Sequence, residues 1–397
     1  MKYALFYQQN KDIVEYTISV LRALIKSYGH VETTADDAVV ILVSVCDINQ
    51  ILFVEKLRKQ YPDKKICVGG HAAIYWKLFS LFADYVNVGQ GFDFFKAQSI
   101  REIEALPYVW VDGKKELSAS TLIDWSIVPC ANVTTGQYYY WGAVGCKNRC
   151  KFCLTSWTNP HQQNDQRRIE SIRQKIKNVT IVTNDSDAVG KRMTQSIMLK
   201  DFLKANLKKY AVYRLGVEFA TEANRKKYGK PFTDDQFCEM LDRAVRYGVR
   251  LKMFCITGID EYDDWDKLFS KIYPVYVKGH FDLKFTNICY EMFTPIKKER
   301  YSLSLDKMFD TKRSREFCLK HKTRCWPLAP LPTASKANTL KKNMLIWTVN
   351  QNEYNIFKTI RNSDDDKVIY DLLMRNKFFE NDYSETVKIN HPARTME

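Results

Sequence analysis

The chain has 397 residues, 27% of them charged, and a formal net charge of +15. That length holds two or three domains around a large core, and no stretch stays apolar long enough to cross a bilayer. Eleven cysteines in such a chain exclude a disulfide framework: Cys46, Cys67, Cys130, Cys238, Cys255 and Cys289 stand singly in apolar surroundings, as reduced, buried cysteines do, which predicts a soluble protein of the reducing cytoplasm.

From the N-terminus the pattern alternates strand and helix. The apolar run at the start is too short for a signal peptide and predicts a strand at Tyr3–Tyr7. Ile13 to Tyr28 follows with Val14, Ile18, Leu21 and Leu24 on one helical face. Ala38 to Val45 is continuously apolar, the mark of a parallel strand covered on both sides. A helix over 49–60, a strand at Lys65–Val68 ending in Gly69-Gly70, and a strand at Tyr85–Val88 closed by Gly89-Gln90-Gly91 complete a doubly wound α/β pattern over residues 1–100. Its glycines fall at the carboxyl ends of strands, where ligands bind in such folds.

After a linker over 101–137, the pattern predicts a partial (β/α) barrel of TIM type over 138–297. Its strands are expected at 138–144, 179–183, 213–221, 250–256 and 281–292, with helices over 168–177 and 233–247. The first strand ends in Gly-Cys-Lys-Asn-Arg-Cys-Lys-Phe-Cys, residues 145–153, which spaces Cys146, Cys150 and Cys153 as Cys-x3-Cys-x2-Cys. Three thiolates at this spacing suit three irons of a [4Fe-4S] cluster and leave the fourth iron open for a small molecule. Taken by itself, the spacing also fits a zinc knuckle lacking its fourth ligand.

With Gly145 before it and Phe152 ahead of the last cysteine, this motif resembles the signature of the radical S-adenosylmethionine (radical SAM) superfamily. The resemblance implies that Cys146, Cys150 and Cys153 hold the cluster and that its open iron chelates SAM. An electron from a flavodoxin- or ferredoxin-like donor would then cleave SAM to methionine and a 5′-deoxyadenosyl radical. It also implies SAM contacts from Phe152, from Asn184 and Asp185 after the second strand, and from Glu218 in the third. Ile256 and Gly258 join them through Phe254-Cys255-Ile256-Thr257-Gly258-Ile259-Asp260-Glu261, which is similar to the family's Gly-x-Ile-x-Gly-x-x-Glu.

Val68-Gly69-Gly70-His71-Ala72, the Asp84 to Gly91 segment and the linker run Leu122 to Pro129 resemble the cobalamin-binding domain and connector of B12-type members. The loop Gln8 to Asp12 lacks the Asp-x-His-x-x-Gly that supplies a lower axial histidine in many cobalamin proteins, and little room separates Val31 from Ala38 for a second helix. Both departures favour a trimmed domain kept as scaffold over bound cobalamin. Methylthiotransferases carry a second cluster in this domain; here Cys46 and His71 fall near two of the places and no early cysteine stands near Tyr7, so no second cluster is expected, and Cys46 and Cys67 read as core.

Residues 298–397 read as a mostly helical cap near the barrel mouth, with helices at 343–361 and 364–378. Cys318, His321 and Cys325 lie close together but are too few for an auxiliary cluster. Between Arg300 and Lys342 eleven basic residues face three acids, with Phe309, Phe317 and Trp326 among them, a composition suited to a phosphate backbone and stacked bases. A nucleic-acid base or base adduct is therefore the expected substrate of hydrogen abstraction. Two other readings stay open: a cobalamin-dependent methyltransferase acting on a small molecule or peptide, and an iron–sulfur sensor that binds nucleic acid without turnover. Cys255, Cys289 and Tyr290 are candidate hydrogen donors by position alone.

Overall fold

The computed structural model describes residues 1–8, 14–114, 117–128, 130–132, 137–145, 150, 161–182, 194–257, 259–287, 320, 333–378 and 387–388. The N-terminal domain is built on β1 (Lys2–Tyr7), β2 (Val31–Glu32), β3 (Val40–Ser44), β4 (Lys65–Gly69), β5 (Tyr85–Asn87) and β6 (Val109–Trp110). They lie in the order β2-β1-β3-β4-β5-β6, and all pairings are parallel except β5 with β6.

Every residue of β3 is buried, which is why it reads as an unbroken apolar run. Val40 and Leu42 pack with Val20, Leu24 and Ile25 of helix α1 (Val14–Ser27) on one face. Ile41 and Val43 pack with Ile51, Val54 and Leu57 of helix α2 (Ile51–Gln60) on the other. The expected strands and helices of this domain are all present, and β2 and β6 are additions too short to show a period. As the tight spacing requires, no helix stands between β2 and β3. Cys67 is buried as expected and Cys238 only half-buried; Cys46 is exposed just beyond β3, because β3 ends at Ser44 and the chain turns outward into Asp47.

The connector is packed against this domain. Ile123 and Ile127 join the core on the α1 side, the Tyr28 hydroxyl donates to Asp124 at 2.9 Å, and the Tyr140 hydroxyl donates to the Trp125 carbonyl at 2.8 Å. Strand β7 (Leu117–Ser118) pairs in parallel with β17 (Val387–Lys388).

The central domain shows two sheet segments among the described residues. In the first, β9 (Gln137–Trp141) lies between β8 (Cys130–Asn132), antiparallel to it, and β12 (Val179–Val182), parallel to it. A short antiparallel pair, β10 (Ala143–Val144) with β11 (Gln162–Gln163), extends its carboxyl end, and helix α3 (Gln166–Lys175) precedes β12. The second segment is fully parallel: β13 (Thr194–Ser196), β14 (Val212–Glu218), β15 (Arg250–Thr257) and β16 (His280–Asn287). Between β14 and β16 run helices α4 (Glu222–Lys227), α5 (Asp234–Tyr247) and α6 (Tyr262–Tyr276). Helix α5 starts on a Thr233/Gln236 capping box and stops at Gly248, whose φ of 60° is the left-handed turn that glycine takes most cheaply. Strand β13 has no counterpart in the sequence reading, and residues 288–292 of the expected fifth strand lie outside the described residues.

The C-terminal helices differ most from expectation. The single helix expected over 343–361 is two, α7 (Thr333–Trp347) and α8 (Gln351–Ile360), followed by α9 (Asp366–Arg375). Asn350 ends the continuity: its side chain caps Glu353 N, and Glu353 reaches back to Val349 N. These helices lie on the α2 face of the N-terminal sheet rather than over the central domain. Leu340, Met344, Tyr354, Phe357, Ile369 and Leu373 share one core with Ile41, Val43 and α2.

Candidate functional site

A sheet in the order β2-β1-β3-β4-β5 has its topological switch between β1 and β3, and ligands bind at the carboxyl ends of the strands there. A cavity of about 280 Å³ occupies this end of the N-terminal domain. Val20, Leu21 and Leu24 of α1 form one wall, Ser44, Gly69 and Asn87 come from strand ends, and Trp141 and Val144 of the central domain line it as well. Phe92 and Trp141 meet edge to face at 5.5 Å across the join.

Two glycines close the loops around the cavity. Gly70, at φ 109°, sits where a Cβ would meet the Val45 backbone, and Gly89, at φ 91°, where it would meet the backbone of Ser120. Each is both left-handed and crowded, so only glycine fits. The close approach lets Ala72 N donate to Val45 O at 3.1 Å and Gln90 N to Ser120 O at 2.7 Å.

Asn87 is the polar feature of the cavity. It is 5% exposed, and its Oδ1 finds no hydrogen-bond partner among the described residues. An unpaired buried amide oxygen costs about 1–3 kcal/mol, so it marks a place where a ligand donor would fit. Cys67 also lines the cavity, and burial pushes its thiol well above the usual range, which keeps it an inert neutral group. No histidine is among the described lining residues. The volume lies just under the 300–1,000 Å³ of most small-molecule sites; it suits a heterocyclic base, not a whole corrin macrocycle. On the orphaned Asn87 oxygen and the glycine cradle, the residues fit one end of a corrinoid.

The strand that lines the cavity also leads to the cysteine motif. Val144 is followed by Gly145 at φ 76° and, six residues on from Val144, by Cys150. Cys150 is 4% exposed and its Sγ lies 3.8 Å from the Gly229 carbonyl, with the thiol as donor. Cys146, Phe152 and Cys153 lie outside the described residues, as do Asn184, Asp185, Gly258, Cys289, Tyr290, Cys318, His321 and Cys325.

Of the strand-end set, Glu218, Ile256 and Asp260 can be placed. Glu218 is the last residue of β14, at φ 65°, where the ladder to β15 slips by one residue. Its carboxylate is 3.3 Å from the Lys230 ammonium, and both side chains are nearly buried. Ile256 is buried at 2% near the end of β15, beside Cys255, whose thiol burial pushes far up. That burial favours the core role for Cys255 over hydrogen donation. Asp260 accepts from Ala220 N at 2.8 Å, Thr221 N at 3.2 Å, Thr221 Oγ1 at 2.8 Å and Asn224 Nδ2 at 2.8 Å. It clamps the turn after β14 and has a structural task.

Three residues were missed by sequence reasoning. Asn87 carried a signal, being a polar residue in an apolar strand just ahead of glycines. Lys230 and Arg225 carried none, because both stand in a run of lysines and arginines that reads as a solvated surface. Of the basic segment 300–342, Lys320 pairs with Asp266, Lys341 donates to the Arg361 and Ser363 carbonyls at 3.1 and 3.0 Å, and Lys342 pairs with Asp47 at 2.8 Å. The other basic residues there lie outside the described residues, or their side chains do.

No helix among the described residues is long and apolar enough to cross a membrane. No family model and no curated protein sequence matches the chain. Among solved structures it is similar to the radical SAM methyltransferase TsrM from Kitasatospora setae with cobalamin and a [4Fe-4S] cluster bound, at 12% identity and a TM-score of 0.49 over 72% of this chain and 74% of that one. TsrM with tryptophan and a SAM analogue gives 12% identity and a TM-score of 0.47, over 72% of each chain. The cobalamin-dependent SAM radical enzyme OxsB with aqua-cobalamin and SAM gives 12% identity and a TM-score of 0.49, covering 96% of this chain and 80% of that one.

Proposed function

We propose that the chain is a radical SAM enzyme that works with a corrinoid, the reading under which it transfers a methyl group to a small molecule or peptide. One observation carries it: the N-terminal cavity and Cys150 are joined by the single stretch Trp141 to Cys150, which lines the first and ends at the second. A cofactor held in the cavity would thus contact the same stretch of chain that carries Cys150.

When bound, the cluster and SAM supply a deoxyadenosyl radical, and the corrinoid supplies a methyl carrier. The chain's own residues bind and orient. Asn87 would accept a hydrogen bond from a corrinoid held in the cavity, and Gly70 and Gly89 would let the loops approach it. Phe92 and Trp141 close the join against water. Cys146, Cys150 and Cys153 would ligate iron, and Glu218, at the end of its strand, is the residue that would reach SAM.

The test is anaerobic reconstitution with iron, sulfide and hydroxocobalamin. One [4Fe-4S] cluster and one corrinoid per chain are expected, with S-adenosylhomocysteine and 5′-deoxyadenosine formed from SAM under reduction. Cys150→Ala should lose the cluster and keep the corrinoid. Zinc in place of iron would remove the reading, and an iron protein without corrinoid binding would return it to plain hydrogen abstraction.

A second reading, a nucleic-acid base as substrate, rests on the net charge of +15 and the basic segment 300–342. The engagement of Lys320, Lys341 and Lys342 with partners inside the chain lowers the charge left for phosphate. Deoxyadenosine formation stimulated by DNA or RNA, absent with small molecules, would restore it.

A further inference from the structure

A buried ion pair stands one residue along the chain from the carbonyl that Cys150 meets. The Lys230 ammonium is 3.3 Å from Glu218 Oε1, with 9% and 11% of the two side chains exposed, and the carbonyl next to Lys230 in the chain, that of Gly229, is 3.8 Å from Cys150 Sγ. Three features show that the fold is shaped to hold this pair in place.

Glu218 adopts φ 65° at the centre of a γ-turn closed by Phe219 N to Val217 O at 2.8 Å. That is a strained conformation for a residue with a side chain and it persists only where surroundings enforce it. Gly216 is the second feature. A Cβ there would overlap the Glu218 carboxylate and lie 2.9 Å from Lys230 Nζ, so the strand gives up a side chain to make room. The third is Arg225, fully buried, which donates to the carbonyls of Phe219 at 3.1 Å, Ala220 at 2.9 Å and Phe232 at 3.1 Å and pairs with Asp234. It ties the Glu218 turn to the turn that carries Gly229 and Lys230, which Lys230 N closes onto Arg225 O at 2.7 Å.

Strain, a vacated Cβ position and a buried arginine together fix one cation and one anion at the turn whose Gly229 carbonyl meets Cys150. We propose that Lys230 and Glu218 are positioning residues that shift the reduction potential of the cluster in opposite directions. The inference rests on the iron–sulfur reading of Cys146, Cys150 and Cys153. A cluster on three thiolates becomes more negative by one charge on reduction. A fixed positive charge nearby in a low-dielectric site stabilises the reduced form, and a fixed negative charge destabilises it. In the native pair the two oppose each other. Removing Lys230 leaves the carboxylate facing the cluster, and removing the charge of Glu218 leaves the ammonium.

The experiment is an EPR-monitored redox titration of the anaerobically reconstituted full chain, without SAM, on wild type, Lys230→Met, Glu218→Gln, Lys230→Arg and the double variant. The midpoint should fall in Lys230→Met, rise in Glu218→Gln, and stay near wild type in Lys230→Arg and in the double variant. A merely structural pair would shift both single variants the same way or neither, and either result overturns the proposal. Should Lys230→Met fail to fold, Glu218→Gln decides alone, since an unmoved or lowered midpoint there contradicts it. Absence of iron in wild type would instead overturn the cluster reading and this inference with it; iron at full occupancy without opposed shifts overturns only the inference.

Discussion

Glu55 sits on α2 with 6% exposure, and three donors from two parts of the chain converge on it: Tyr354 Oη at 2.9 Å and Lys358 Nζ at 2.8 Å from α8, and Lys59 Nζ at 2.9 Å from its own helix. Burial alone would push the carboxyl up. The two ammoniums and the hydroxyl outweigh that and bring it from 4.5 down to about 2. Because the folded value lies below the unfolded one, the carboxylate contributes stability that is complete above about pH 4.5 and is lost as pH falls toward 2. At about 1.4 kcal/mol per tenfold change in proton affinity, the contribution is roughly 3 kcal/mol. Glu55→Gln keeps the shape and removes the charge, so it should destabilise the protein by roughly 2–3 kcal/mol at pH 7. Urea unfolding of both proteins from pH 7 to 3.5 checks this. The gap between them should narrow by about 1 kcal/mol at the acid end. A gap independent of pH would refute the argument, since it would mean that Glu55 acts by shape and not by its paired charge.

Three further outcomes are expected. Gly70→Ala should weaken corrinoid binding and lower the melting temperature, because its Cβ meets the Val45 backbone at a left-handed φ; an unchanged protein by both measures contradicts the cradle. Asn87→Leu should leave the fold intact, or stabilise it by removing an unpaired buried amide, while corrinoid affinity measured by absorbance titration falls about tenfold, the loss of roughly one hydrogen bond; equal affinity would show that Asn87 does not meet the ligand. Any nucleic-acid binding by the segment 300–342 should fall steeply with salt, and Lys341→Met should leave that dependence unchanged, since its ammonium caps the Arg361 and Ser363 carbonyls; a flattened slope in that variant would place Lys341 on phosphate.

Elements buried on both sides were legible because their centres are continuously apolar: Val40–Val43 of β3 and Ile66–Val68 of β4 read as strands for the same reason that they are central. Edges and breaks were not. Val31–Glu32 is too short to show a period, and the break between α7 and α8 rests on one capping asparagine inside a stretch that is helical by composition. The placement of those helices could not be read, since an apolar helical face says that it will be covered but not by what. In the proposed site, the cysteine motif was legible because its three thiols stand close in sequence, as ligands of one cluster would have to. The Glu218–Lys230 pair and its support from Gly216 and Arg225 depend on a turn conformation and on residues across a loop, which no linear pattern carries.

The sharing of one core by α2 and the last helices has a consequence for synthesis on the ribosome. The α2 face of the N-terminal sheet cannot be covered until residues near Phe378 have emerged, and at about 5–20 residues per second the wait is on the order of tens of seconds. During that time Ile41, Val43, Ile51 and Val54 have only part of their final packing, while the central domain is already being made. The nascent chain should therefore expose a hydrophobic surface for a chaperone to hold, and truncation before Thr333 should yield a protein that aggregates even though every residue of the N-terminal sheet is present.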